Sequence, residues 1–513
     1  MSKSTSMGLS RRDLARRLVA PVRSPRAAQR FPLGTSLGTS LGTSLGTSLG
    51  TPLAPPPPPA LPFELQVLSR ATFGANAATV AELQQKGFDA WLNQQLDPAS
   101  IDDSAFEAGL ATVIETWRST AADVRLLGRA LYSKRQLAWR MTHFLNNHFA
   151  TFRGATVAIS EVLEDEVFFK FCFSKFSTVL RASAASPAMI DFLDSQSNIA
   201  SSPNENYARE LMELHTLGVY GGYTEPDVAE AARVFTGWGR VNVNTGAPAP
   251  TGSYFRFTAS RHDTGPKSLS LGWSTPGIAG ANGFQEGMSL LDFLAAHPNT
   301  ATLFCGKLCR YFVSDQPPAG LMTRVRQEFV ATGGDLKATV LALFLDPEFA
   351  TSVTMRAKVH DGFEYVVNPV RRLRIANASL ANLNTQVGLL RSQPHMTPEP
   401  IGWPEEGPPW QGAGNVLPRW KFVDDLTHNR IGSVSVPWTT LFPTLPVGGA
   451  AWANAMLALL VDGNVPATTV LAVTVFMDGR LSTLPANPTF TQLQPHVRDL
   501  ASLVLRLPES QLN

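Results

Sequence analysis

Four polar residues near the middle of the chain have the spacing that catalysis or metal binding needs. A helix turns about 100° per residue, so Asn206, Arg209, Glu210 and Glu213 fall on one face. Two carboxylates at i, i+3 beside a guanidinium can share a divalent metal ion. They can also divide the roles of general acid and general base, with Arg209 setting their pKa values. The same pattern describes a solvated helix face with one ion pair, Arg209 to Glu213. His215 is a poor partner for either acid, because residues two apart on a helix point about 200° from each other. It reads as a core histidine or as a support for ligands.

Two further groups join this set. His148 lies near the end of a predicted helix, with Asn147 and His143 close by and Phe144 and Phe149 flanking it. A neutral imidazole among aromatic rings is a metal ligand or general base in one reading, and a packed or capping histidine in the other. His262 and Asp263 sit in a Gly-Pro turn with Lys267 nearby. They can ligate a metal, or Asp263 can simply form an Asx turn. The catalytic set is therefore Glu210, Glu213 and His148, with Arg209 and Arg233 as electrostatic partners and Asn147 and Asn206 as orienting groups. The metal set is His148, Glu210, Glu213, His262 and Asp263, and the implied cofactor is a divalent metal ion. Trp403, Trp410 and Trp420 either stack on sugars or pack against the helical body. No nucleophile elbow, Walker loop, dinucleotide fingerprint or haem-attachment motif occurs.

The elements that must position these residues carry strong local signals. Ser202 stands as an N-cap before Pro203, Glu205 follows three residues later, and the helix runs to about Leu217, where Gly218 stops it. A second helix starts at Thr224, with Asp227 completing a capping box and Tyr223 and Val228 placed as a hydrophobic staple. Val228, Ala232 and Phe235 mark its buried side, and Gly237 and Gly239 end it.

These two helices, YARELMELHTLGV and GYTEPDVAEAARVFTGW, resemble the signature of the bacterial "domain of unknown function 1800" family. LSRATFGA at 68–75, RMTHFLNNHFAT at 140–151, SPAMIDFLDSQSN at 186–198, RHDTGPKSLSLG at 261–272, HPNTATLFCGKLCRYFVSD at 297–315 and GWPEEGPPWQGAGNVLPRWKFV at 402–423 are similar to its other blocks, in order. The resemblance covers about residues 63–430. It implies a mostly helical fold and frequent export, and no established reaction. Family members commonly carry His-Asn-His-Phe where this chain has Asn146-Asn147-His148-Phe149, which implies a lost or weakened metal ligand if that histidine binds a metal in relatives.

Composition bounds the rest. The chain has 513 residues, 44% of them hydrophobic and 16% charged, with a net charge of +2. Residues 1–63 hold eight Lys or Arg and one acid, a net +7, so the remainder carries −5 and gives no case for nucleic-acid binding. Ser10-Arg11-Arg12-Asp13-Leu14 resembles a twin-arginine export signal, although further arginines interrupt the apolar region that should follow. A Leu-Gly-Thr-Ser tetrapeptide repeated four times and a run of five prolines then read as a weak apolar core or as a linker. No apolar run is long enough to span a bilayer. Three cysteines, Cys172, Cys305 and Cys309, are too few for a disulfide framework and read as buried thiols.

The expected architecture is mostly α. A basic, low-complexity segment covers 1–62 and a large single helical domain covers 63–430, with a small β-hairpin excursion near 250–275. A helical C-terminal extension covers 431–513 and packs on the domain. The expected function is an exported, periplasmic or envelope protein with a polar or metal site on helix 203–217, acting by metal- or carboxylate-assisted hydrolysis. The alternatives are a non-catalytic envelope structural or assembly protein, with an envelope partner protein, and a cytoplasmic location.

Overall fold

Side-chain caps start several helices, at Asn76, Ser186, Thr224, Asp335, Asp361 and Ser379 among others. The structure, a computed structural model, describes residues 62–115, 122–156, 158–241, 254–351 and 357–512. The export-signal and linker expectations for residues 1–61 lie outside these. Among the described residues there are 22 α-helices and two antiparallel sheets of two strands each, so the chain is mostly α. None of these helices is long and apolar enough to cross a membrane.

The apolar periodicity of 124–149 could hold one long helix, and the structure has two, Ala122–Tyr132 and Gln136–His148. Asp103 causes the break: its carboxylate accepts from the Ser133 hydroxyl and the Lys134 amide. Gln136 then donates to the carbonyls of Ala130 (3.2 Å) and Ser133 (2.7 Å), satisfying acceptors that the first helix leaves at its end. The small β excursion is present as two short pairings. Phe255–Phe257 pairs back onto Trp238–Arg240, and Lys267–Ser268 pairs with Ser274–Thr275.

Two apolar cores fill the unit that spans Pro59–Asn513. The first gathers Phe144, Phe149, Phe176, Phe304 and Phe312; the second gathers Trp438 and Trp452 with the Gly362–Arg372, Ala413–Thr427 and Phe490–Arg506 helices. The Gln136–His148 helix belongs to both, giving Leu137, Met141 and Phe144 to the first and Trp139 to the second. Each fully buried aromatic side chain contributes about 1.5–3 kcal/mol by leaving water, so this shared helix is held firmly. Its C-terminal end is a rigid place from which to present side chains. All three cysteines are buried free thiols, and burial pushes the Cys309 thiol up to about 12.

Candidate functional site

The helix that carries the polar stripe starts at Asn206, not after Ser202, and it is α-helical only to Glu210. Leu211–His215 is a π-turn. The Thr216 hydroxyl donates to the Leu211 carbonyl at 2.6 Å, and the Leu217 and Gly218 amides both donate to Met212. Gly218, at φ +84°, completes the reversal. The wider turn shifts the angular phase of everything after Glu210, so projection at a constant 100° fails there. Arg209 accordingly pairs with Glu205 (2.8 Å) and Glu225 (2.9 Å), and Glu213 receives the Tyr223 hydroxyl at 3.5 Å. Glu210 and Glu213 are buried, whereas Asn206 is exposed and its amide bonds Asn204. The second helix keeps its expected start, a capping box between Thr224 and Asp227.

His148 is enclosed by Phe144, Phe149, Phe176 and Phe304, and its Nε2 lies 3.1 Å from the His215 carbonyl oxygen. Burial drives its pKa well below the usual histidine value and that of His215 down to about 3, with the Lys307 ammonium pushing both the same way. Both imidazoles are therefore neutral. Asn147 clamps a loop: its amide donates to the Trp403 carbonyl (3.0 Å) and its oxygen accepts the Trp403 amide (2.6 Å). Trp403 donates in turn to Gln393, and Trp410 to Pro404, so both indoles pack; Trp420 is more exposed.

His262 and Asp263 face different partners. His262 Nδ1 meets the Thr236 carbonyl at 2.9 Å, and its Nε2 lies 3.3 Å from Glu286, which also takes Lys267 at 2.7 Å. Asp263 forms a two-point pair with Arg233 (2.8 and 3.1 Å), which holds its carboxyl below the usual aspartate range. Among the described residues no group of three or more His, Cys, Asp or Glu side chains is arranged to hold a metal ion. His148 thus meets the His215 carbonyl, Glu213 the Tyr223 hydroxyl, His262 the Thr236 carbonyl and Asp263 the Arg233 guanidinium.

The groups that do converge are others. Helix Ala158–Phe171 carries Glu161, Glu164 and Asp165 on one face. His395 reaches them from the loop that Asn147 clamps, in a left-handed conformation at φ +58°. Its Nδ1 lies 3.0 Å from Glu161 Oε2 and its Nε2 3.0 Å from Asp165 Oδ1. Asn146, where the family resemblance implies a histidine, donates to Asp165 Oδ1 at 2.6 Å. The three carboxyls are at most 1% exposed and His395 5%.

The hydrogen bonds of this cluster fix its protons. Ser186 Oγ accepts the Met189 amide and donates to Glu164 Oε1 at 2.9 Å. Thr151 Oγ1 touches both Glu161 Oε2 (2.6 Å) and Glu164 Oε2 (2.9 Å). A hydroxyl has one hydrogen. If Thr151 donates to the nearer Glu161, its contact with Glu164 requires a proton on Glu164. The electrostatics agree: burial and then the neighbouring Glu161 charge push the Glu164 carboxyl up to about 8. Burial raises Glu161 too, but the His395 imidazolium and hydroxyl donors outweigh it and leave its pKa lowered. His395 opposes its own burial through Asp165 and Glu161, which hold it well above the ordinary histidine value. One chain of contacts therefore runs Glu164–Thr151–Glu161–His395–Asp165–Asn146.

Sequence reasoning did not find this cluster. The signal was Glu-x-x-Glu-Asp in an otherwise apolar helical stretch, where charges among phenylalanines face inward only if they are paired. His395 had no local signal at all. Three consecutive residues tie the regions together: Asn146 bonds the acidic helix, Asn147 the His395–Trp403 loop, and His148 the π-turn. Successive positions about 100° apart can address three elements at once. A family profile described as "Protein of unknown function (DUF1800)" matches residues 66–512, beyond the motif-bearing 63–430. No curated protein and no solved structure matches the chain.

Proposed function

The chain belongs to the family described as Protein of unknown function (DUF1800), and we propose that this member is a hydrolytic enzyme whose acid and base are Glu164 and Glu161. The carrying observation is that two carboxyls one helical turn apart share the Thr151 hydroxyl, one kept neutral and the other ionised. Opposite displacement of neighbouring acids assigns the proton donor and the proton acceptor. His395 keeps Glu161 ionised and orients Asp165. Access in this reading needs the segments 151–156 and 393–399 to part where the Arg153 amide donates to the His395 carbonyl (2.8 Å). Opening such segments is a common gating step. In this reading Glu210, Glu213 and the π-turn support the site through His215 and His148.

The test is a panel of chromogenic ester, peptide and glycoside substrates across pH, on wild type and on Glu164→Gln and Glu161→Gln. Turnover lost in both variants, with Glu164→Gln still folding and melting cooperatively, is the expected result. Equal turnover in wild type and variants, or none with any substrate, rejects the reading. We propose an envelope location as well, supported by Ser10–Leu14, with fractionation of the expressed full chain as its test. The rival, a non-catalytic assembly protein, draws on helix Ala467–Leu481, where Leu471 and Val475 are exposed.

A further inference from the structure

Two acceptor atoms in the cluster have no hydrogen donor among the described residues: Asp165 Oδ2 and Asn146 Oδ1, on side chains that are both more than nine-tenths buried. The amide cannot be turned to remove one of them. Asn146 Nδ2 donates to Asp165 Oδ1, and a flipped amide would set oxygen against carboxylate. A buried acceptor left without a donor is costly. The composition leans the same way, since three carboxyls gather around one imidazole. The cluster thus has more acids than bases and two free acceptors on a bonded pair of side chains.

We propose that Asp165 and Asn146 form the binding point for a primary ammonium group, so that the substrate class is amine-bearing; this rests on the acid–base reading for its link to turnover. An ammonium brings three donors and one positive charge, matching both deficits. A quaternary ammonium brings the charge without the donors. An alkali cation has neither the donors nor their directionality. The ligand enters where segments 151–156 and 393–399 part, beside Asn146 at the end of its helix.

The experiment titrates full-length protein with methylammonium, tetramethylammonium or potassium chloride at equal ionic strength. It follows the melting temperature and the ring nitrogen signals of labelled His395. Methylammonium is expected to raise the melting temperature saturably and shift His395, with the other two salts inert. Asn146→Ala and Asp165→Asn are each expected to weaken its apparent affinity about tenfold or more. Should Asp165→Asn fail to fold, Asn146→Ala decides alone. Identical responses to the three salts, or an unchanged affinity in Asn146→Ala, overturn the proposal. Glu164→Gln is expected to bind methylammonium normally. Binding in wild type without turnover of any substrate keeps this site and rejects the hydrolase reading.

Discussion

Two buried ionic networks in this molecule look alike and differ in balance. In one, Lys267 gives its three donors to Glu286, Asp263 O and Gly265 O, and a single acid faces a single ammonium with His262 beside them. In the other, three carboxyls face one imidazole, a proton has to stay on Glu164, and two acceptors remain open. Both are sealed from water. Burial of charge is therefore not what separates a structural pin from a chemical site. The paired network leaves one ring nitrogen, His262 Nε2, without a hydrogen bond, whereas the acid-rich one leaves carboxylate and amide oxygens that still need donors.

The same substitution made in each network breaks the resemblance most sharply. Glu286→Gln leaves the Lys267 ammonium buried without its counter-charge and should cost about 3–5 kcal/mol in urea unfolding. Glu164→Gln replaces a neutral acid by a neutral amide and should cost under about 1.5 kcal/mol. Equal losses would erase the distinction.

The pH dependence gives a second contrast. Glu164 has a folded pKa of about 8 against 4.5 for the ordinary acid, so between these values the folded state binds the extra proton. Stability from this group is greatest at low pH and falls as pH rises from about 4.5 to about 8, by at most about 1.4 kcal/mol per pH unit. His395, raised by Asp165 and Glu161, adds loss as pH climbs through its folded pKa; Glu161, lowered, acts oppositely and only under acid. Melts from pH 5 to 8 should slope downward in wild type and flatten in Glu164→Gln. An unaltered slope in the variant removes Glu164 as the proton holder.

Asn147→Ala frees the Trp403 backbone and should cost about 1–3 kcal/mol, with faster amide exchange confined to the 393–403 loop. The smallest effect belongs to Arg209→Ala. Its pairs with Glu205 and Glu225 are partly exposed, and their loss should cost under about 1 kcal/mol and diminish further in high salt. A larger loss there would return the polar stripe to the centre of the functional question.

How far the sequence reached follows from the range of each force. The Thr224–Asp227 box was legible because both residues act within one turn, and the helical class was legible because apolar periodicity repeats throughout. The Arg209–Glu213 pair was not, since the π-turn depends on Thr216 and Gly218 closing onto Leu211 and Met212, contacts that periodicity does not encode. The break at Ser133 was hidden for the same reason, its cause being Asp103, about thirty residues upstream.

By itself the sequence determined the helical class, the Thr224 cap, the family and the inventory of polar side chains. Only the tertiary structure decided which of them meet. His395 lies 230 positions from Asp165, and no local preference joins them. The packing of the Gln136–His148 helix between two cores does so, because a charged group can stay buried only where distant parts of the fold bring its partners.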